Sequence, residues 1–185
     1  MNIRGRKVVL RAIEENDLPH LHRWANDPDI WYMLGGWHFP GSMDFQKKWF
    51  EGLKNDHLNQ HLAIEVPGAG IVGTSNIVEI DWKNNHAFHG MMLGSGDARG
   101  KGYGIDTVMA TMRYAFEELH LERLDGSMIE YNTPSIGLYC KKLAWKEEGR
   151  QKNWYYRKNR YWDRIMVGIL REEYFELARK MNYWE

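Results

Sequence analysis

Apolar positions along this chain follow two rhythms that replace one another several times. "KVVLRAI" (Lys7–Ile13) is rich in β-branched residues and predicts a strand. Behind it, Asn16 or Asp17 can cap a short helix carrying Leu18, Leu21 and Trp24, and Pro28 ends it. An aromatic, glycine-rich connection follows, and then Phe45, Trp49 and Leu53 stand at helical spacing. "HLAIEV", "GIVGTSNIVEID" and "HAFHGMML" read as three strands separated by a "PGAG" turn and a "WKNNH" hairpin connection. Helical rhythm returns from Ile105 to about Leu119, where Ile105, Val108, Met109, Met112, Ala115, Phe116 and Leu119 make one apolar face. "RLDGSMIE" predicts a strand, and "NTPSIGLYCKKL" a helix capped by Asn132 or Thr133 with Pro134 at a permitted early position. The stretch from Trp145 to Leu170 reads as two strands around a turn at Arg157–Asn159, and "REEYFELARKM" closes with a helix. Alternating strands and helices bracketed by hairpins predict one mixed α/β or α+β domain over residues 1–185, with about seven strands.

Composition narrows the function classes. The 25 cations balance 25 anions, so a protein built chiefly to grip a nucleic acid backbone is disfavoured. No apolar run is long enough to span a membrane, and the start "MNIRGRKVVL" has no apolar signal-like core. The single cysteine, Cys140, excludes an internal disulfide framework, and the histidines lack metal-ligand spacing. The expectation is a cytoplasmic domain with no metal. Aromatic residues reach 14%, including 9 Trp and 10 Tyr, which implies a large core plus a broad aromatic wall or subunit interface.

The sharpest local signal is "DARGKGYGIDTVMATMRYAFEEL", where three glycines and two cations stand directly ahead of the amphipathic helix. Glycine in a loop is entropically costly, and its usual return is close approach of backbone amides to an anion at a helix N-terminus. A dinucleotide fingerprint fails, because Ile105 stands where a third spaced glycine is required. A P-loop fails too, since no Lys-Ser or Lys-Thr follows. What remains is Arg99, Gly100, Lys101, Gly102, Tyr103 and Gly104, a run whose six amides, helix dipole and two cations suit a pyrophosphate.

That loop resembles the acyl-coenzyme-A motif of the GNAT N-acetyltransferases. About thirty residues later, "NTPSIGLYCKKLAW" resembles the family's second motif, and the flanking segments "LRAIEENDLPHLHRWANDPDI" and "RYWDRIMVGILREEY" are similar to the RimJ/RimL-type branch. The resemblance runs from about Val8 to Glu176 and implies a twisted mixed sheet whose fourth and fifth strands splay apart to admit coenzyme A. It implies that Met91, Met92 and Leu93 offer backbone to the pantetheine arm and that Arg99–Gly104 hold the pyrophosphate. It also implies that Asn132 contacts the arm, and that Tyr139 is the general acid that protonates the leaving thiolate. A homodimer is the family habit.

Two departures bear on mechanism. After Tyr139 the chain is one residue longer than the family pattern, with Ala144 for the usual glycine and Trp145 for phenylalanine. Relatives often read Ala-Glu-Leu-Gly in the fourth strand, where this chain has Ala87-Phe88-His89-Gly90. A lysine-like amine with a pKa near 10.4 costs about 4.6 kcal/mol to deprotonate at pH 7, whereas an α-amine near 7.7–8.0 costs about 1 kcal/mol. Losing a carboxylate at Phe88 therefore favours an acceptor amine of lowered pKa: an amino sugar, an amine-bearing metabolite or antibiotic, or a protein N-terminus. Glu79 and His89 are the candidate bases, alone or through water. Trp31, Trp37, Tyr156 and Trp162 are candidate acceptor contacts, since aromatic faces suit a sugar ring or other flat apolar body. The expected activity is acetyl transfer from acetyl-CoA to a primary amine by direct attack in a ternary complex. The competing class is a coenzyme-A-binding domain that senses or assembles without turnover.

Overall fold

The computed structural model describes residues 2–36, 39–94 and 96–185. Eight strands form one sheet in the order β1-β2-β3-β4-β5-β6-β8-β7. They are β1 (Ile3–Arg4), β2 (Val9–Ala12), β3 (Gln60–Val66), β4 (Gly70–Asp81), β5 (His86–Leu93), β6 (Arg123–Ile129), β7 (Lys146–Arg157) and β8 (Arg160–Leu170). The sequence pattern yields seven of these. The eighth, β1, is two residues long, too short to show any alternation of its own.

Helices α1 (Leu18–Ala25), α2 (Pro28–Met33) and α3 (Met43–Gly52) follow β2. Asp17 does not cap α1 with its side chain. Its carboxylate is taken by Arg11, at 2.7 Å, and by the amide of Glu14. Asp27 does cap α2, accepting from Asp29 N and Ile30 N, with Pro28 in the first turn where its missing N–H is harmless. Ser42 caps α3 through Phe45 N. These helices cover one face of the sheet, where Leu18, Leu21, Trp24 and Ile30 pack with Ala63 and Met92.

The other face carries α4 (Tyr103–Arg113), α5 (Thr133–Ile136) and α6 (Arg171–Lys180), and holds the larger core. Val108, Met109, Met112, Ala115 and Phe116 are fully buried there against Ile77, Ala87, Leu124, Val167 and Ile169. Truncating such a side chain as Phe116 to Ala in a close-packed core costs about 3–5 kcal/mol. Buried Asp106, on the first turn of α4, ties both ends of the chain to this layer. It accepts from the amides of Arg6, Lys7 and Val8 and from the Tyr183 hydroxyl.

Two features of the sheet shape the site. First, β5 and β6 run parallel but pair only through His86↔Arg123, Ala87↔Leu124 and Phe88↔Asp125, and then separate. They are the fourth and fifth strands of the sequence-based expectation, renumbered because of β1. Second, β7 is bulged between Gln151 and Tyr155, opposite Arg164 and Trp162. The bulge sets Asn153 at a φ of 55° and pushes Trp154 out of the ladder.

Both segments between α-helix and strand contain wide turns. α4 continues as a π-helix over Tyr114–Glu118, and α5 continues as one over Gly137–Lys142. The second absorbs the extra residue after Tyr139: the Tyr139 carbonyl accepts from both Leu143 N (3.3 Å) and Trp145 N (3.1 Å). Ala144 is left in the left-handed region, at φ 60°, where glycine would rest without strain.

Candidate active site

The parting of β5 from β6 opens the sheet between its two faces, and two contiguous cavities meet there. The smaller, about 400 Å³, is lined by Met91–Leu93, by Arg99, Gly100, Gly102, Tyr103 and Gly104, and by Asn132, Leu138 and Lys142. The larger, about 780 Å³, reaches from His89 and Tyr139 toward α1–α3 and the β7–β8 hairpin. Leu34, Met91, Met92, Asn132 and Ser135 line both.

The glycines of the small cavity have local physical reasons. Gly100 and Gly102 adopt φ of 77° and 85°, so the loop turns sharply into α4, with Gly102 as its N-cap residue. A Cβ on Gly104 would stand 3.3 Å from Met91 Cε and 3.4 Å from Leu138 Cδ2, a tight fit, so the glycine eases the close approach of the helix start to β5. The first-turn amides of α4 have no intrahelical acceptor, and the helix dipole adds positive potential where they point. Two expectations need correction here. The Arg99 amide is already donated to the Gly96 carbonyl at 3.1 Å, so the cradle lacks it. Lys101 is exposed and does not line the cavity; its carbonyl accepts from Lys7 Nζ. Arg99 and Lys142 remain as the cations of the cavity wall.

Beyond Phe88, β5 pairs with β4 on one edge and, among the described residues, has no strand on the other. An extended molecule with amide groups can add to such an edge as a strand does. Asn132, expected to contact that molecule, is largely committed to the protein. Its Oδ1 accepts from Ser135 N and its Nδ2 donates to the Met33 carbonyl at 3.0 Å, joining α5 to α2.

In the wall of the large cavity, His89 and Tyr139 meet. His89 is 2% exposed and Tyr139 6%. A carbonyl only accepts, so the 2.8 Å contact between His89 Nδ1 and the Asn76 carbonyl puts the proton on Nδ1. Nε2 is then an acceptor, and the Tyr139 hydroxyl donates to it at 3.0 Å. Burial pushes the His89 imidazole down to about 4 and holds the Tyr139 phenol above its ordinary value. At neutral pH the imidazole is uncharged and the phenol keeps its proton. Trp145 closes the cluster from behind, its ring edge-on to Tyr139 at 5.1 Å and tilted to His89 at 5.9 Å.

These positions revise the two candidate bases. Glu79 lies outside both cavities. The β4 bulge between Val78 and Asp81 puts it at φ 53° and exposes it, and its amide is held by Asn59 Oδ1. His89 does line the large cavity, but with its depressed pKa and its Nε2 lone pair spent on Tyr139, it is a poor proton acceptor at pH 7. Among the acceptor candidates, Trp31 lines the cavity; Tyr156 is 54% exposed and packs at a tilt against Tyr161 outside it. Trp162 also stands outside, edge-on to Tyr131 and donating Nε1–H to the Arg157 carbonyl. Trp37 lies outside the described residues.

Asn76 and Arg164 carry little sequence signal of their own, whereas Trp154 and Tyr155 belong to the aromatic last hairpin that the sequence shows. Asn76 fixes the His89 tautomer with its carbonyl and accepts the Gly90 amide on Oδ1. Trp154 and Tyr155 enter the cavity because of the β7 bulge, and Arg164 does so because it stands between Asp163 and the buried Ile165 on alternating faces of β8. Alternation around Ile165, Val167 and Ile169 is the only hint at Arg164 that the sequence holds.

A splayed parallel strand pair, an open β5 edge and a glycine-lined helix N-terminus together define a cleft that opens through the sheet beside an anion-suited helix start. The profile of the acetyltransferase (GNAT) domain matches residues 7–142, and the chain belongs to that family. It is similar to an uncharacterized N-acetyltransferase, YokL, derived from the SPbeta prophage of Bacillus subtilis, with 30% identity over 173 residues covering 94% of both chains. It is 33% identical to the uncharacterized N-acetyltransferase p20 of Bacillus licheniformis over 173 residues, 91% of this chain and 95% of that one. Its fold is similar to that of a spermidine N-acetyltransferase from Vibrio cholerae solved with CoA and spermine, with a TM-score of 0.85, 21% identity and 91% and 98% of the two chains covered. The protein is a GNAT acetyltransferase.

Proposed function

We propose that the chain transfers an acetyl group from acetyl-CoA directly to a primary amine of lowered pKa, and that it falls in the RimJ/RimL-type branch on its first and last segments. The observation that carries the acceptor class is the wall of the large cavity: among the described residues none that lines it is Asp or Glu. A polyamine brings several positive charges, and taking them into a site without carboxylates is strongly disfavoured. An amino sugar, an amine-bearing metabolite or a peptide N-terminus brings one amine, already partly neutral at pH 7.

Acetyl-CoA would supply the acetyl group on a thioester, held by the Met91–Leu93 edge and the Gly100–Gly104 cradle. Tyr139 lines the large cavity, one turn along the helix from Ser135, which lines both. Burial makes a bare phenolate costly there, so Tyr139 works best as a relay. It gives its proton to the leaving sulfur while its oxygen takes the proton of the attacking nitrogen. The N–C bond forms, the C–S bond breaks, and Tyr139 ends protonated as it began. His89, neutral and pinned by Asn76, holds the phenol ring on line and is not itself the base.

Tyr139→Phe tests this reading. Free-thiol release in the presence of an accepting amine is expected to fall about 10²–10⁴-fold, the usual worth of one positioned proton-transfer group. Binding of acetyl-CoA, followed by the rise in melting temperature, stays within about twofold of wild type. Wild-type protein mixed with acetyl-CoA alone should show no acetyl adduct by intact mass. Unchanged turnover in the variant, or a stable adduct on Cys140, contradicts the relay.

A further inference from the structure

We infer that Arg164 is an anion-reading subsite of the acceptor cavity, and that the acceptor amine carries a carboxylate or phosphate. The inference rests on the acetyl-transfer reading above and names the class of its acceptor. Arg164 lines the large cavity on the same face as Phe88, and the next residue, Ile165, is buried on the other face. Its guanidinium stands 5.2 Å from the Trp154 ring centre and 6.0 Å from that of Phe88.

The charge of Arg164 is uncompensated. Elsewhere on the sheet, arginines pair with carboxylates: Arg11 has Asp17 and Glu65, Arg123 has Asp125 and Glu148, and Arg150 has Glu130 and Glu147. Arg164 has none among the described residues. Its one recorded hydrogen bond, from Nη1 to Gln151 Oε1, is 3.5 Å long and therefore weak. Its Nε is buried with no partner. A guanidinium is hard to desolvate unpaired, and its planar fork matches carboxylate and phosphate geometry. Aromatic faces on two sides hold it in place without neutralising it.

The position has a second meaning. Phe88 occupies the β5 site where a carboxylate would attract a cationic acceptor, and Arg164 stands over that same ring. The local charge of the cavity is thus inverted, from a wall that welcomes cations to one that welcomes an anion. The body of the acceptor would lie against Trp24, Trp31 and Trp49, which line the same cavity.

Two matched pairs test the inference: phenylalanine against phenylalaninamide, and glucosamine 6-phosphate against glucosamine. Each is measured on protein saturated with CoA by calorimetry and, with acetyl-CoA, by thiol release. The anionic member of at least one pair is expected to bind about tenfold or more tightly, the size of one charge-assisted hydrogen bond. Which pair responds distinguishes carboxylate from phosphate. Arg164→Gln should abolish that preference while leaving CoA affinity unchanged, and Arg164→Lys should restore only part of it. Equal binding of charged and neutral members, no binding of either anionic probe, or a preference that survives Arg164→Gln overturns the inference. Anion-selective binding with no thiol release contradicts acetyl transfer and leaves the subsite standing.

Discussion

His89 illustrates how a residue's chemistry is set by its surroundings. An exposed imidazole titrates near 6.5 and is a ready base, but in this fold the ring is sealed between Tyr139, Trp145 and the Asn76 carbonyl. Burial pushes it down to about 4, so the folded protein keeps it neutral while the unfolded chain protonates it from about pH 6.5 downward. The sign follows: its contribution is fully present above pH 6.5 and is lost as pH falls toward 4. The difference corresponds to about 3 kcal/mol at 1.36 kcal/mol per pH unit. Urea unfolding of wild type and His89→Gln at pH 7.5 and pH 4 measures it. Wild type should lose about 3 kcal/mol more than the variant over that interval, and equal losses would show that His89 is not held neutral. The sequence brought His89 and Tyr139 forward separately, but nothing in it revealed the hydrogen bond across fifty positions.

Among elements, the helix that carries Tyr139 shows how an insertion can be accommodated without moving a site. One additional residue in a plain α-helix would rotate everything beyond it by about 100°. Here the π-turn over Gly137–Lys142 takes up the residue, and the Tyr139 carbonyl is shared by Leu143 and Trp145. Trp145 then returns to the core beneath Tyr139 at 2% exposure. The cost falls on Ala144, whose φ of 60° is unfavourable for any side chain. Ala144→Gly removes that strain and adds unfolded-state entropy, and the first effect is the larger. The expected result is a gain of about 0.5–1 kcal/mol, seen calorimetrically as a rise of about 1–4 °C in melting temperature. A fall would mean that Ala144 is not strained. This element was half legible: the cap at Asn132 and the Pro134 start are local chemistry, whereas a π-turn depends on the packing of Trp145. The glycine loop was legible for the same local reason, since positive φ at Gly100 and Gly102 is a property of the residue type. Glu79 was read from its place on the strand beside β5, and the β4 bulge that exposes it has no signal in the sequence.

At the scale of the molecule, a chain of zero net charge divides its charges unevenly. Cations mark the small cavity, through Arg99 and Lys142, as suits a phosphate-bearing substrate. The large cavity is aromatic, carries Arg164 and has no carboxylate among its described lining residues. Overall architecture was readable from periodicity because each face of the sheet buries one regular stripe, α4 on one side and α1–α3 on the other. The cavity between the faces was not, since it depends on where two strands stop pairing and where a hairpin bulges. Likeness to a spermidine acetyltransferase at 21% identity shows the fold alone, so the proposed acceptor class is argued from the wall of this cavity.

The most direct measurement is therefore the ratio of kcat/KM for spermidine to that for glucosamine 6-phosphate and phenylalanine, by thiol release from acetyl-CoA at pH 7.5. A cavity with no carboxylate predicts spermidine at least about a hundredfold below the better of the two, as expected when a polycation must be desolvated without partners. Spermidine turned over as fast as either would contradict the account at its centre.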